Sequence, residues 1–325
     1  MPISARNFIA ALGLSAAATG FATAASAEES VSLRLSWLLN VQSAGYVMAD
    51  AKGFYKDAGL DVEIMPGGPN LNSTAMVAAG QNTFGTNDVS AVLFGEAEGM
   101  DLAVVGACFQ KNPAGLLSLA ETGIKTPKDL EGKTLAYNEG GPWTYTQAML
   151  AKSGVDMSKV NTVVIMGNEV LMSGRVDAKT AFVVNEPIAL ELQGYPTATL
   201  VAADYGVNAY AETIFTTAAY AEAHPDIVEA FMQATAEGWA YAFDHPEETV
   251  EAVLAINGEL DPEQQSRQLE LQRDFILTDS ARENGICSVE TANVADTYGL
   301  LKEYAGLEAE IDIDALVKPE FAAKK

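Results

Sequence analysis

Histidine and cysteine are almost missing: two of each occur in 325 residues, His224 and His245, Cys108 and Cys287. Both histidines precede prolines at expected helix boundaries, and neither has the Cys or Asp/Glu spacing of a zinc site. They read as surface turn residues, which leaves little for a Ser-His-Asp arrangement. Two cysteines are too few to build a disulfide-dependent fold. An oxidising compartment permits a bridge between them, but the favoured expectation is two separate buried thiols. Basic residues are scarce as well: 19 Lys and Arg face 44 Asp and Glu, a net charge of −25, with no basic run except Lys324-Lys325. A nucleic-acid partner, which needs basic patches, is therefore not expected. The sequence has no glycine-rich phosphate loop with lysine, no Gly-x-Ser-x-Gly elbow and no His-Glu-x-x-His. Beyond residue 27 no stretch is long and apolar enough to span a bilayer.

Residues 1–27 differ from the rest. Arg6 gives a basic start, Phe8 to Ala25 is uncharged and rich in Ala, Leu and Gly, and Ala25-Ser26-Ala27 fits small-x-small cleavage before Glu28-Glu29. That pattern predicts a cleaved secretory signal. No cysteine follows it to carry a lipid, so the expected product is free in the periplasm.

What remains is long enough for about two domains. Its organising stretch runs from Ser32 to Asn72. Leu33, Leu35, Trp37 and Leu39 alternate with other residues as one face of a strand. Val47, Ala51, Phe54, Tyr55 and Ala58 share one stripe of a helix, Gly59 closes it as a left-handed cap, and Leu60, Val62 and Ile64 form a second strand. Strand, helix and strand make a right-handed crossover, and such sheets bind ligands at the carboxyl ends of their strands. Trp37 with Asn40, Gln42 and Ser43 lies at one end, and Gly67-Gly68 at the next.

The alternation continues to a buried strand at 102–106. The chain then leaves through Gly115–Leu119 into a second α/β unit opened by Thr126-Pro127. Expected strands there are Thr134–Tyr137, Val163–Ile165, Ala181–Val184 and Ala198–Ala202. Glu212–Thr217 returns to the first unit, and the remainder is helical. The fold class is therefore α/β, with two lobes, each a mostly parallel sheet flanked by helices, and a helical C-terminal tail. Lobe I comprises 28–114 and 214–325, lobe II 115–213, and two crossings form a hinged cleft.

Candidate ligand residues follow from residue type and place. Trp37 offers a flat π face for a heterocycle. Asn40, Gln42 and Ser43 supply uncharged donors and acceptors, unless they only build a turn. Gly67 and Gly68 allow close backbone approach, and Asn87 precedes a helix it could cap. In lobe II, Asn138 and Gly141 belong to a glycine turn at a helix start, with Trp143 and Tyr145 as an opposing aromatic wall. Glu186 sits at another helix N-terminus, where it could accept from a ligand amino group, and Tyr210 lies beside the second crossing.

Trp37-x-x-Asn40 ahead of Ala44-Gly45-Tyr46, then Gly53-Phe54-Tyr55, Gly59-Leu60-Asp61-Val62 and Pro66-Gly67-Gly68, resemble the opening of periplasmic substrate-binding proteins of ABC importers. The subgroup is the one binding thiamine pyrimidine precursors, alkanesulfonates and related molecules. Thr126-Pro127-x-Asp129-Leu130-x-Gly132-Lys133, Gly174-x-Val176-Asp177-Ala178 and Glu186-Pro187 extend the resemblance. It implies the type II periplasmic-binding-protein fold, a non-enzymatic receptor that closes on a small molecule, an inner-membrane permease as partner and a monomeric state. Pyrimidine-binding members usually place a histidine in the first loop, near where this chain has Ser43. The expected ligand is a small heteroaromatic nutrient, with no cofactor and no metal. The alternatives are a sulfonate or other anion, for which Arg34 and Lys111 are the nearest cations, and an enzyme akin to fungal pyrimidine synthases, which use a cofactor-bearing lysine, a histidine and a cysteine cluster.

Overall fold

The computed structural model describes residues 28–138 and 140–323. The expected signal at 1–27, Glu139 of the glycine turn and Lys324-Lys325 lie outside the described residues. The strands are β1 (Glu29–Arg34), β2 (Leu60–Met65), β3 (Phe84–Asn87), β4 (Leu102–Phe109), β5 (Ala114–Leu119), β6 (Thr134–Tyr137), β7 (Asn161–Val164), β8 (Ala178–Phe182), β9 (Thr197–Val201) and β10 (Ala211–Thr217). They form two five-stranded sheets, ordered β2-β1-β3-β10-β4 and β7-β6-β8-β5-β9. In the first, β10 runs antiparallel to β3 and β4; in the second, β5 runs antiparallel to β8 and β9. The other pairs are parallel. The two antiparallel strands are the ones that follow each passage of the chain from one sheet to the other. With flanking helices and a helical C-terminal region, this is the α/β architecture expected of a type II binding protein.

The opening unit forms as its pattern dictates, with two differences. Val31 pairs with Val62 and Leu33 with Ile64 in the parallel β1/β2 ladder, and Gly59, at φ +79°, makes the left-handed stop before β2. The expected single helix is broken, because Gly53 at φ +77° separates Ala44–Ala51 from Phe54–Asp57. The first strand also ends at Arg34 rather than Leu39. Its last neighbour is Met65, whose carbonyl takes the Leu35 N–H at 2.9 Å, and the chain then turns away. β8 likewise lies earlier than expected: its ladder ends where Ala114 meets Phe182, next to Pro113, which has no N–H to donate. Val183 and Val184 are left to bury in the apolar core around β4.

Three tail helices, Pro225–Asp244, Pro246–Ile256 and Pro262–Ile276, begin at prolines, where the missing N–H costs nothing. Helix Pro225–Asp244 crosses Ala44–Ala51 at very short range. A Cβ on Gly238 would stand 2.1 Å from the Gly45 carbonyl, and one on Gly45 would stand 2.2 Å from the Trp239 ring. Trp239 fills the centre, edge-on to Tyr46 and Phe109 and stacked on Phe243.

The expectation of separate thiols is overturned. Cys108 on β4 is bonded to Cys287, 179 residues later. The Cys287 carbonyl also accepts the Ala107 N–H at 3.0 Å, and Gly106 leaves room for it, since a Cβ there would come within 2.6 Å of that oxygen. Sequence spacing carried no sign of this, because β4 and the tail meet only through tertiary packing.

Candidate functional site

The first sheet presents the carboxyl ends of β1 and β3 and the start of β10 to one rim. After β1 the chain is held to the end of β2: the Gly67 N–H donates to the Trp37 carbonyl at 2.9 Å. A Cβ on Gly67 would lie 2.1 Å from the Leu35 carbonyl, so its close approach is to its own chain. Gly68 adjoins it, facing Leu38. This clamp leaves the Trp37 side 38% exposed, and its indole stacks on no other ring among the described residues. Asn40 is the cap of the short turn Val41–Ser43; its side chain accepts the Gln42 N–H at 2.7 Å, while Ser43 Oγ donates to the Asn40 carbonyl at 2.9 Å. Both are buried, and both shape the turn that carries Gln42.

Gln42 points to a residue the sequence reading passed over. Its Nε2 donates to Glu212 Oε1 at 2.7 Å, as does Ser36 Oγ at 2.7 Å. Glu212 is buried and has φ +48°, a left-handed conformation that non-glycine residues seldom adopt outside constrained sites. The signal available was a lone acid in the otherwise uncharged run Ala211–Thr217.

A second carboxylate joins the two sheets. Asp88 caps helix Val89–Ala97 by accepting from Ser90 N at 3.0 Å and Oγ at 2.7 Å, and it also accepts from Asn112 Nδ2 at 2.8 Å. Across the gap, the hydroxyl of Tyr145 donates to the same carboxylate. Gly141, at the start of helix Gly141–Lys152, abuts it; a Cβ there would lie 3.0 Å from Asp88 Cγ. Two helix N-termini thus converge on Asp88, where their dipoles favour negative charge. Asn87 donates to Ser73 Oγ at 3.0 Å and accepts the Asp88 N–H at 2.9 Å, steadying this corner.

Burial raises the Asp88 carboxyl above its usual value, and the donors from Tyr145, Ser90 and Asn112 pull it back. Burial raises Glu212 too, opposed by Ser36, Gln42 and Thr86, while the nearby Asp88 charge pushes it further up. Among the described residues neither carboxylate has a Lys or Arg at ion-pair distance. The cations considered for an anion site are engaged elsewhere. Arg34 donates to the Pro66 carbonyl at 2.8 Å and to Asn82 at 3.2 Å, and Lys111 pairs with Asp204 at 2.7 Å.

On the second rim, Asn138 follows β6 and is half-buried. Trp143 is 8% exposed and stacks on Tyr137 with ring centres 4.0 Å apart. It lines a groove of about 470 Å³ with Ser90, Phe94, Gly141, Gln147 and Tyr304; Trp37 is not on that wall. Tyr145 is fully buried. The two indoles are therefore not brought onto this groove together: Trp37 stands free at the first rim, while Trp143 already has a stacking partner. Glu186 accepts the Phe182 N–H at 3.0 Å and has Lys179 at 3.8 Å; burial raises its carboxyl and the lysine opposes this. Tyr210 turns its ring inward, its hydroxyl accepting the Glu290 N–H at 3.2 Å. Its carbonyl accepts from Asn112 Nδ2 at 3.2 Å, so its backbone belongs to the Asp88 corner.

The two histidines are exposed at helix junctions, His224 against Tyr220 and His245 stacked on Tyr241. A family model described as NMT1/THI5 like matches residues 40–249. The chain belongs to the NMT1/THI5-like family. Members and neighbours of different kinds share its sequence or fold. A riboflavin-binding protein from Chloroflexus aurantiacus is 26% identical over 76% of this chain and 71% of its own length. A formylaminopyrimidine-binding protein from Halalkalibacterium halodurans is 26% identical over 77% of this chain and 78% of its own. A 4-amino-5-hydroxymethyl-2-methylpyrimidine phosphate synthase from Legionella pneumophila is 24% identical over 71% and 74%. Among solved structures, the alkanesulfonate-binding protein from Xanthomonas axonopodis pv. citri superposes with a TM-score of 0.70 at 18% identity, covering 90% of this chain and 99% of that one. At that identity the likeness is one of fold.

Proposed function

We propose that this chain is an exported, periplasmic solute-binding receptor that delivers a small nitrogen heterocycle to the permease of an ABC importer. Lobe I is the unit of the first sheet and lobe II that of the second, so the expected bounds at 114/115 and 213/214 shift to 113/114 and 210/211, because Ala114 opens β5 and β10, with Glu212, begins at Ala211. The protein works as a monomer that closes on its ligand and catalyses nothing. The observation that carries the ligand class is the pair of buried carboxylates, Asp88 and Glu212, at the junction of the two sheets with no Lys or Arg at ion-pair distance among the described residues. Such a centre repels a sulfonate and favours a ring bearing amino or protonated nitrogen. Relatives named for riboflavin and for formylaminopyrimidine support the same class.

Trp37 is the free aromatic face on which the ring stacks, held out by Gly67 and Gly68. Gln42 and Glu212 supply polar fixing, and Asn40 and Ser43 position them. Lobe II contributes Asn138, Gly141 and the Tyr145 hydroxyl, with Glu186 and Trp143 behind. Closure follows because the ligand touches both lobes only when they meet, the differential affinity a population shift requires.

The test is a thermal-shift and calorimetric panel of riboflavin, 4-amino-5-hydroxymethyl-2-methylpyrimidine and an alkanesulfonate. A probe at roughly 1,000 times its dissociation constant adds about 4 kcal/mol of stability. Binding of either nitrogen ring but not the sulfonate supports the reading; tight binding of the sulfonate alone sinks it.

A further inference from the structure

Helix Pro262–Ile276 carries three buried glutamines, Gln265, Gln268 and Gln272. Two have evident work. Gln265 Oε1 accepts the Val41 N–H at 3.1 Å, and Gln272 Nε2 donates to the Val41 carbonyl at 2.7 Å. They fasten the helix to the turn that follows Asn40. On the adjacent stripe, Gln264 Nε2 donates to Asn185 Oδ1 at 2.7 Å, reaching the residue that opens the Glu186-Pro187 helix of the second sheet. Gln268 is 0% exposed, and neither its Oε1 nor its Nε2 meets a hydrogen-bond partner among the described residues.

Helical geometry says where that amide points. At about 100° per residue, Gln268 lies roughly 40° round the helix from Gln264 and about 40° from Gln272 on the other side. It therefore faces the seam between the Val41 turn of the first sheet and the Asn185 corner of the second. Buried amides almost always find partners, because an unmet donor or acceptor away from water is destabilising. An amide with both ends unmet, at the junction of two sheets and beside the turn that delivers Gln42 to Glu212, is placed to meet something that enters that seam.

We infer that Gln268 is a ligand-recognising residue, reading an edge of the bound ring that presents a donor and an acceptor side by side. A primary amide offers the complementary pair. Flavins carry such an edge in their C=O and N–H groups, and 4-aminopyrimidines carry one in their amino group and ring nitrogen. This inference rests on the receptor reading and adds to it the residue that selects the ring edge.

The experiment measures riboflavin and 4-amino-5-hydroxymethyl-2-methylpyrimidine binding by calorimetry, with melting temperatures, for the parent, Gln268→Met and Gln268→Glu. Methionine keeps the length and apolar stem without polar atoms, so a core role predicts an equal or higher melting temperature and unchanged affinity. Recognition predicts an equal or higher melting temperature with at least tenfold weaker binding of whichever probe the parent takes. Gln268→Glu, measured at a pH where its carboxyl is ionised, keeps only acceptors and must weaken binding by a similar factor. Equal affinity of the parent and either folded variant overturns the inference alone. Failure of the parent to bind either probe overturns the nitrogen-ring reading, and this inference with it.

Discussion

The Tyr145 hydroxyl, on a helix packed against the second sheet, donates to the Asp88 carboxylate at the carboxyl end of β3 in the first. It is a direct polar tie between the two halves, made at the N-termini of helices Val89–Ala97 and Gly141–Lys152.

Tyr145→Phe removes that donor and leaves Asp88 to Ser90 and Asn112. The expected loss is about 1.5–3 kcal/mol, the scale for a hydrogen bond to a charged group. Urea melts measure it. Small-angle scattering on the ligand-free protein should show a larger radius of gyration, because the two halves have lost one of their mutual contacts. An unchanged radius with full stability would mean the contact holds nothing shut.

Glu212 makes stability pH-dependent in a definite direction. Burial and the Asp88 charge raise its carboxyl above the usual 4.5, so the folded state holds the proton more tightly than the unfolded chain. Its ionised form is thus a destabilising load above the raised value, relieved as pH falls toward 4.5. Asp88, raised from 3.8 by burial, acts in the same sense. Glu212→Gln should flatten the slope of stability against pH above 4.5 and gain most at pH 8. A parallel pair of profiles would refute the assignment.

The two indoles call for opposite outcomes. Trp37→Ala should leave stability within about 0.5 kcal/mol of the parent, as for an exposed side chain, yet weaken binding of a nitrogen ring by more than about tenfold. Trp143→Ala, which empties a buried stack on Tyr137, should cost about 3–5 kcal/mol of stability. Denaturation and calorimetry on both variants separate an anchor from a core residue.

Reducing the Cys108–Cys287 bond, or Cys287→Ser, should lower stability by roughly 2–5 kcal/mol. Urea midpoints with and without reductant read it directly. A midpoint indifferent to reductant would show that the non-covalent contacts, among them Cys287 on Ala107 and Lys318 on Val104, suffice to hold the tail to β4.

Much of the fold was legible because it rests on local rules. Gly59 had to be left-handed before β2, Pro225, Pro246 and Pro262 had to open helices, and the alternation of Leu60, Val62 and Ile64 had to be a strand. The strand end was misjudged because Leu39 continues the apolar alternation for a different reason: it buries after the turn, not on the sheet. Of the candidate site, the sequence marked the exposed Trp37 and the turn residue Gln42, but not the buried carboxylate that Gln42 meets. Glu212 and Gln268 looked like ordinary residues of a strand and a helix, since one is marked by a partner 170 positions away and the other by an amide unmet among the described residues. Asp88 was readable as a cap, but not as the place where a second helix would arrive.

The disulfide also has a topological outcome. Its two sulfurs sit together beside β4, yet the chain between them contains every strand of the second sheet. That sheet is therefore part of a covalent ring. A protease that severs any one peptide bond between residues 109 and 286 produces a molecule that still migrates as one piece on a non-reducing gel and falls into two only when thiol is added.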